Sequence, residues 1–265
     1  MAKKSVRLRK EMFRVLSLGA GVQSSTMALM MAKGEIPPPD CAIFADTQWE
    51  PKAVYEWLDW LETQLPFPIY RVSEGNLRDA VLRQANATGG RFASVPWHML
   101  RPDGGGAIGR RQCTREYKVD PLRRKMRELV GKGGHVEVCI GISVDEAHRM
   151  KPARNKWQHH TWPLIDLRMT RADCLMWMER NGYPRPPKSS CLGCPYHSDQ
   201  QWQEIKQVPE EWADVVEIDA AIRVTPKMHS RQFMHRSLKP IDQVEFVNEA
   251  QVDMFGNECE GLCGV

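Results

Sequence analysis

Phe13-Arg-Val-Leu-Ser-Leu18-Gly-Ala-Gly21-Val-Gln-Ser-Ser25 joins an apolar run of strand type to a glycine-containing turn and a helix, and its reading sets the fold class. Phe13 to Leu18 predicts a first strand, and a helix is predicted from about Ser25 to Lys33, where Gly34 stops it. The alternation repeats downstream. Cys41-Ala-Ile-Phe-Ala45 is a short apolar strand with Asp46-Thr47 leaving its carboxyl end, and Pro51 opens a helix whose Val54, Trp57, Leu58 and Leu61 fall at helical spacing. Ile69 to Val72 and Val136 to Ile142 read as further strands, and Leu77 to Gln84 as a helix. Strands alternating with helices predict an α/β fold on a doubly wound parallel sheet. Such sheets bind ligands outside the carboxyl ends of their strands, so Ser17 to Ser25, Asp46-Thr47 and Gly141 to Arg149 are expected to converge there.

Residues 86–111 hold eight glycines or prolines, including Gly104-Gly105-Gly106, and predict a mobile surface loop or lid. From Pro163 the pattern changes to a helix capped by Thr170 with Asp173 three residues on, then Pro184 to Pro187, and helices near Trp202 and Trp212. Two regions are therefore expected: an α/β domain over 1–162 and a helical extension over 163–265 that carries a cysteine turn and an acidic tail.

The chain has 265 residues, 42% of them hydrophobic and 26% charged, which excludes a disordered or collagen-like chain. No run approaches the ~20 apolar residues of a membrane span, and the basic start lacks the apolar core of a secretion signal. A cytoplasmic protein is the expectation. The net charge of +4 hides an uneven spread. Residues 1–14 and 110–127 hold 14 of the 37 basic residues, whereas the last 25 residues hold six acids and no Lys or Arg. The basic internal segment suits an anionic partner such as phosphate, RNA or DNA, or equally a solvated helix face.

Eight cysteines without a secretion signal point to metal or redox chemistry and away from a disulfide framework. Cys41, Cys139 and Cys174 sit in apolar or amphipathic runs and are expected in the core. Cys191-Leu-Gly-Cys194-Pro and Cys259-Glu-Gly-Leu-Cys263 are close pairs of the kind that present ligands. His159-His160 and His197 read as surface residues or phosphate contacts more readily than as ligands.

The turn from Ser17 to Ser25 can wrap an anion, because glycines admit close backbone approach and the helix start offers free N–H groups. It lacks the lysine of a Walker A loop, and Gly19-x-Gly21 followed by Ser24 is an incomplete dinucleotide fingerprint in which Asp46 would hold a ribose hydroxyl. A purely structural glycine turn is the remaining reading.

Taken together, the segments resemble the phosphoadenosine-phosphosulfate reductase branch of the PP-loop ATP pyrophosphatases, whose fold is HUP-like. Gly21 and Ser24-Ser25 after the first strand look like that family's pyrophosphate loop, and Phe44-Ala-Asp46-Thr47 resembles its second-strand end near the adenosine. Gln112-Cys113-Thr-Arg-Glu-Tyr-Lys118-Val-Asp-Pro121-Leu122 is similar to its cysteine segment, and Gly141-Ile-Ser143-Val-Asp145-Glu146-x-x-Arg149 to the segment that closes over the nucleotide. Trp162-Pro163-Leu164 and Cys191-x-x-Cys194 complete the order. The family loop is commonly Ser-Gly-Gly-Lys-Asp-Ser, whereas Gly19, Ala20, Gly21, Val22, Gln23 and Ser24 stand at the matching positions, a departure that bears on phosphate affinity and on magnesium.

The resemblance implies ATP or a related adenine nucleotide held by Ser17, Gly19, Gly21, Gln23, Ser24, Ser25, Asp46, Thr47, Gly141, Ser143, Asp145 and Arg149, with magnesium as its companion ion. It also implies a 4Fe-4S cluster on Cys113, Cys191, Cys194 and a fourth cysteine, for which the tail offers Cys263, the preferred one, or Cys259; a structural zinc on the two cysteine pairs is the rival. Cys259 lies nearest the reductase nucleophile, and Arg111 and Lys118 would neutralise developing charge. Three functions fit: ATP-driven adenylylation and thiolation of a nucleic acid with a sulfur donor, sulfonucleotide reduction with an electron donor and sulfite release, and a zinc-stabilised nucleic-acid-binding module without catalysis.

Overall fold

The computed structural model describes residues 12–85, 89, 95–225 and 230–247. Its strands are β1 (Phe13–Leu18), β2 (Cys41–Asp46), β3 (Ile69–Ser73), β4 (His98–Leu100), β5 (Gly106–Ile108), β6 (Val136–Ile140), β7 (Gln158–Thr161) and β8 (Arg231–Phe233). Its α-helices are α1 (Val22–Ala32), α2 (Lys52–Gln64), α3 (Leu77–Leu82), α4 (Asp120–Val130), α5 (Pro163–Asp166), α6 (Arg171–Arg180), α7 (Asp199–Lys206) and α8 (Pro209–Ile222).

Five strands pair in parallel in the order β3-β2-β1-β6-β7, so the strand order reverses between β1 and β6. Helices cover both faces. On one face α1, α2 and α6 close over Leu16, Leu18, Ala42 and Phe44; on the other α4 places Leu122 and Met126 against Val15, Ile43 and Val138. Burial on both faces explains why β1 and β2 read as continuous apolar runs without alternation. This is the expected doubly wound α/β sheet, and Cys41, Cys139 and Cys174 lie in its core.

Three local expectations change. Helix α1 begins at Val22, three residues earlier than predicted, because Ala20 completes the turn at φ 60° and Gly21 is already the extended N-cap. The sheet gains β7, whose Gln158-His-His-Thr161 has no apolar alternation because it is an edge strand. Within the 86–111 segment expected as a mobile loop, residues 98–108 instead pair β4 with β5, and β4 with β8, in a small antiparallel sheet, while 86–88 and 90–94 lie outside the described residues. There the glycines make a hairpin turn, with Arg101 accepting from Gly104 N–H and donating to the Gly105 carbonyl. Its other partner, β8, is too distant in sequence to leave a local signal.

The predicted capping box forms at α6, where Thr170 and Asp173 exchange hydrogen bonds, and Cys174, Trp177 and Met178 pack on the α1 layer. Helices α7 and α8 join Trp49, Leu77, Val81, Trp97 and Tyr117 in a further apolar cluster. No helix among the described residues is long and apolar enough to cross a membrane.

Candidate active site at the strand ends

Helix α1 is buried from Val22 to Met31, yet its first turns are polar: Gln23, Ser24, Ser25 and Thr26 are each 0% exposed. Polar side chains are buried at this depth only where something demands them. The turn before them is tightly made. Ser24 Oγ accepts from Gly19 N–H at 3.2 Å, and the Ser189 hydroxyl donates to the Gly19 carbonyl. Gly21 caps α1 without a side-chain bond, and no acidic residue occupies the first turn, so the N–H groups and positive dipole end face no side-chain anion of their own helix.

Gly141 closes this turn from the end of β6. A Cβ there would stand 2.9 Å from Ser24 N and 3.0 Å from Ser24 Cα, so only glycine lets the two backbones meet. Beyond it, Gln23 Nε2 donates to Ser143 Oγ at 3.4 Å and to Glu146 Oε2 at 3.0 Å, and Glu146 is ion-paired with Arg149. Gln23 Oε1 is buried without a hydrogen-bond partner, an acceptor that suits a hydroxyl or amino donor and not a phosphate. The uncapped first-turn N–H groups of α1 are the feature that fits an anionic nucleotide group.

The other expected nucleotide residues are distributed around this turn. Ser17 is buried at the end of β1. Ser25 Oγ accepts from Trp57 Nε1 at 2.9 Å and so faces α2. Asp145 is exposed and accepts from Arg171 N–H at 3.1 Å, at the start of α6. Asp46 accepts from the Tyr55 hydroxyl at 2.8 Å and from Gln48 N–H at 2.7 Å.

The next four residues turn from the nucleotide side to the cysteines. Thr47 Oγ1 donates to Glu50 Oε1 at 3.0 Å, and Lys118 Nζ stands 3.3 Å from the same oxygen. Trp49 accepts Leu192 N–H at 2.9 Å through its carbonyl and donates from Nε1 to Asp214 at 2.6 Å. Its ring lies flat against Gly193, where any Cβ would fall inside the ring's van der Waals envelope. That is why the cysteine turn carries glycine.

A small cavity is lined by Thr47, Arg111, Cys113, Lys118, Cys191 and Cys194, with Tyr196 under the Arg111 guanidinium at 5.1 Å. Three of the expected metal cysteines thus share one wall system. Cys194 is pulled below the ordinary thiol range by the hydrogen bond from Cys191, aided by Arg111 and Lys118, while Cys191 is pushed up as the donor of that bond and by burial. Among the described residues no three His, Cys, Asp or Glu side chains converge as the ligands of one metal ion do. Cluster ligands each take a different iron, so thiols spread around a cavity beside two cations fit that group in donor chemistry. His197 is buried, is pushed down to about 4 by that burial, and bonds the Cys191 carbonyl at 3.1 Å, which makes it a neutral brace of the turn. Cys259 and Cys263 lie outside the described residues.

Glu50, Trp49 and Ser189 escaped the sequence reading. The available signal was an acidic residue set between an apolar strand and Pro51, where a helix-capping role is the simpler interpretation.

No protein-family model matches this chain, and no curated protein matches it. Among solved structures it is similar to the crystal structure of phosphoadenylyl-sulfate (PAPS) reductase from Candida auris in its phosphate complex. The identity is 14%, the match covers 66% of this chain and 74% of that one, and the TM-score is 0.39.

Proposed function

We propose that the chain is a PP-loop-type enzyme that binds ATP at the carboxyl ends of β1, β2 and β6 and uses it to adenylylate and thiolate a nucleic acid. One observation supports the reading: Ser189, two residues before Cys191, hydrogen-bonds the Gly19 carbonyl and so ties the segment leading to the cysteine turn to the glycine turn. In the reaction, an oxygen of the acceptor attacks the α-phosphate, pyrophosphate leaves, and a sulfide-level sulfur nucleophile then displaces AMP, which carries off the acceptor oxygen. The first-turn N–H groups of α1 would hold the departing pyrophosphate, and Arg149, held by Glu146, would lie beside it. Arg111 and Lys118 neutralise charge developing at the cysteine cavity. Cys113, Cys191 and Cys194, with Cys263 as the fourth thiolate, would hold a 4Fe-4S cluster. When bound, such a cluster, with a thiolate on every iron, would supply redox and electrostatic chemistry beside the cavity.

Anaerobically purified protein is expected to be brown, to contain iron and sulfide, and to lose its visible absorbance in air. A colourless anaerobic preparation with stoichiometric zinc would remove the cluster from this scheme.

A second reading, sulfonucleotide reduction, is favoured by the charge pairing on α4. Arg123 pairs with Asp120 at 3.1 Å, Arg124 with Glu74, and Lys125 with Glu128 at 2.8 Å, so much of the basic segment is already neutralised. In that reaction the Cys259 thiolate attacks the sulfonucleotide sulfur, the nucleotide leaves, and an external thiol reductant frees sulfite. Pyrophosphate release from ATP supports the first reading and sulfite release the second. If nucleic acid binds, its affinity should fall steeply with salt, and Arg123→Glu with Arg124→Glu should flatten the slope by about two phosphate contacts. Salt-independent or absent RNA and DNA binding would leave only the reductase.

A further inference from the structure

We infer that Glu50 is a positioning residue that holds the Lys118 ammonium at a fixed distance from the cysteine cavity; the inference rests on that cavity being the cluster site proposed above. Glu50 has a fully buried side chain, and that of Lys118 is 7% exposed. A carboxylate this deep is costly to bury and is ordinarily excluded unless its partner requires it. Its partner Lys118 is itself nearly buried and lines the cysteine cavity.

The geometry supplies the reason for the burial. Glu50 is anchored twice, by its place between Trp49 and Pro51 at the exit of β2 and by the Thr47 hydroxyl on Oε1. Lys118 stands 3.3 Å from that same Oε1 and lines the cavity with Cys113, Cys191 and Cys194. An ammonium is a compact charge on a flexible stem, with three donors that rotate together. Tying one donor to a fixed carboxylate sets the direction of the rest, and it stops the charge from collapsing onto the nearest thiolate. Glu50 Oε2 is buried with no hydrogen-bond partner, so Glu50 is held for the ion pair and not by a saturated network of its own.

The test compares reduction potentials in anaerobically purified, full-length, cluster-containing protein. Glu50→Asp keeps the charge and shortens the reach. If Glu50 positions Lys118, this variant frees the ammonium toward the thiolates and raises the midpoint potential by about a tenfold change in the one-electron equilibrium, about 59 mV. The same substitution in a Lys118→Met background should move the potential far less. An unchanged potential in Glu50→Asp, or an equal shift with and without Lys118, would overturn the inference and leave Glu50 a structural charge. Should Glu50→Asp not fold, Glu50→Gln is read the same way, its shift again expected to be larger when Lys118 is present. Wild-type protein without iron would sink the cluster reading instead. The inference is then judged by iodoacetamide alkylation of Cys194: Glu50→Asp should accelerate it only when Lys118 is present, and equal rates in both backgrounds would overturn it.

Discussion

Lys118→Met is expected to destabilise the fold by about 3–5 kcal/mol, because it leaves the Glu50 carboxylate buried without its counter-charge. The substitution keeps the stem volume, so packing around Tyr117 and Val119 should survive and the loss is electrostatic. Adding Glu50→Gln should recover most of it, since a neutral amide can still accept from Thr47. Urea midpoints at constant slope for the wild type, both single variants and the double variant measure this directly. Additive losses in the double variant would mean that the two side chains do not interact.

Gly141→Val is expected to abolish useful nucleotide affinity, by about 100-fold or more, for about 2–3 kcal/mol of overpacking. Even Gly141→Ala sets a carbon 2.9 Å from Ser24 N, and that backbone is the first turn of α1. Either β6 or the helix start must move, and in both cases the N–H groups lose their aim. Titration calorimetry with AMP and ATP, beside a thermal melt, separates lost binding from lost fold. Gly106→Ala is the control, because its Cβ would meet only Leu238 at an ordinary 3.8 Å, away from the turn. Wild-type affinity in Gly141→Val would mean that nucleotide does not bind at the β1–β6 junction.

The fold was legible because burial on both faces writes itself into composition: β1, β2 and β6 are apolar runs with glycine or acid at their ends. The edge strand β7 and the small sheet were not legible, since their pairing is supplied by segments far away in the chain. The glycine turn and the three cysteines could be found from residue type and order. What connects them could not. Glu50, Trp49 and Ser189 carry residue types that are common everywhere, and their meaning lies in contacts across 68 residues to Lys118, across 143 to Leu192 and across 170 to Gly19. The basic segment was legible as charge but not as availability, because its acidic partners include Glu74, 50 residues away from Arg124.

The Trp49 contact also makes the cysteine turn answerable to distant sequence. Cys191 and Cys194 are near neighbours in the chain, but their turn is held at the exit of β2 through Leu192 N–H, and the indole there is held by Asp214 of α8. A change at Asp214, remote in sequence from both thiols, is therefore expected to disturb the turn through the ring that packs on Gly193.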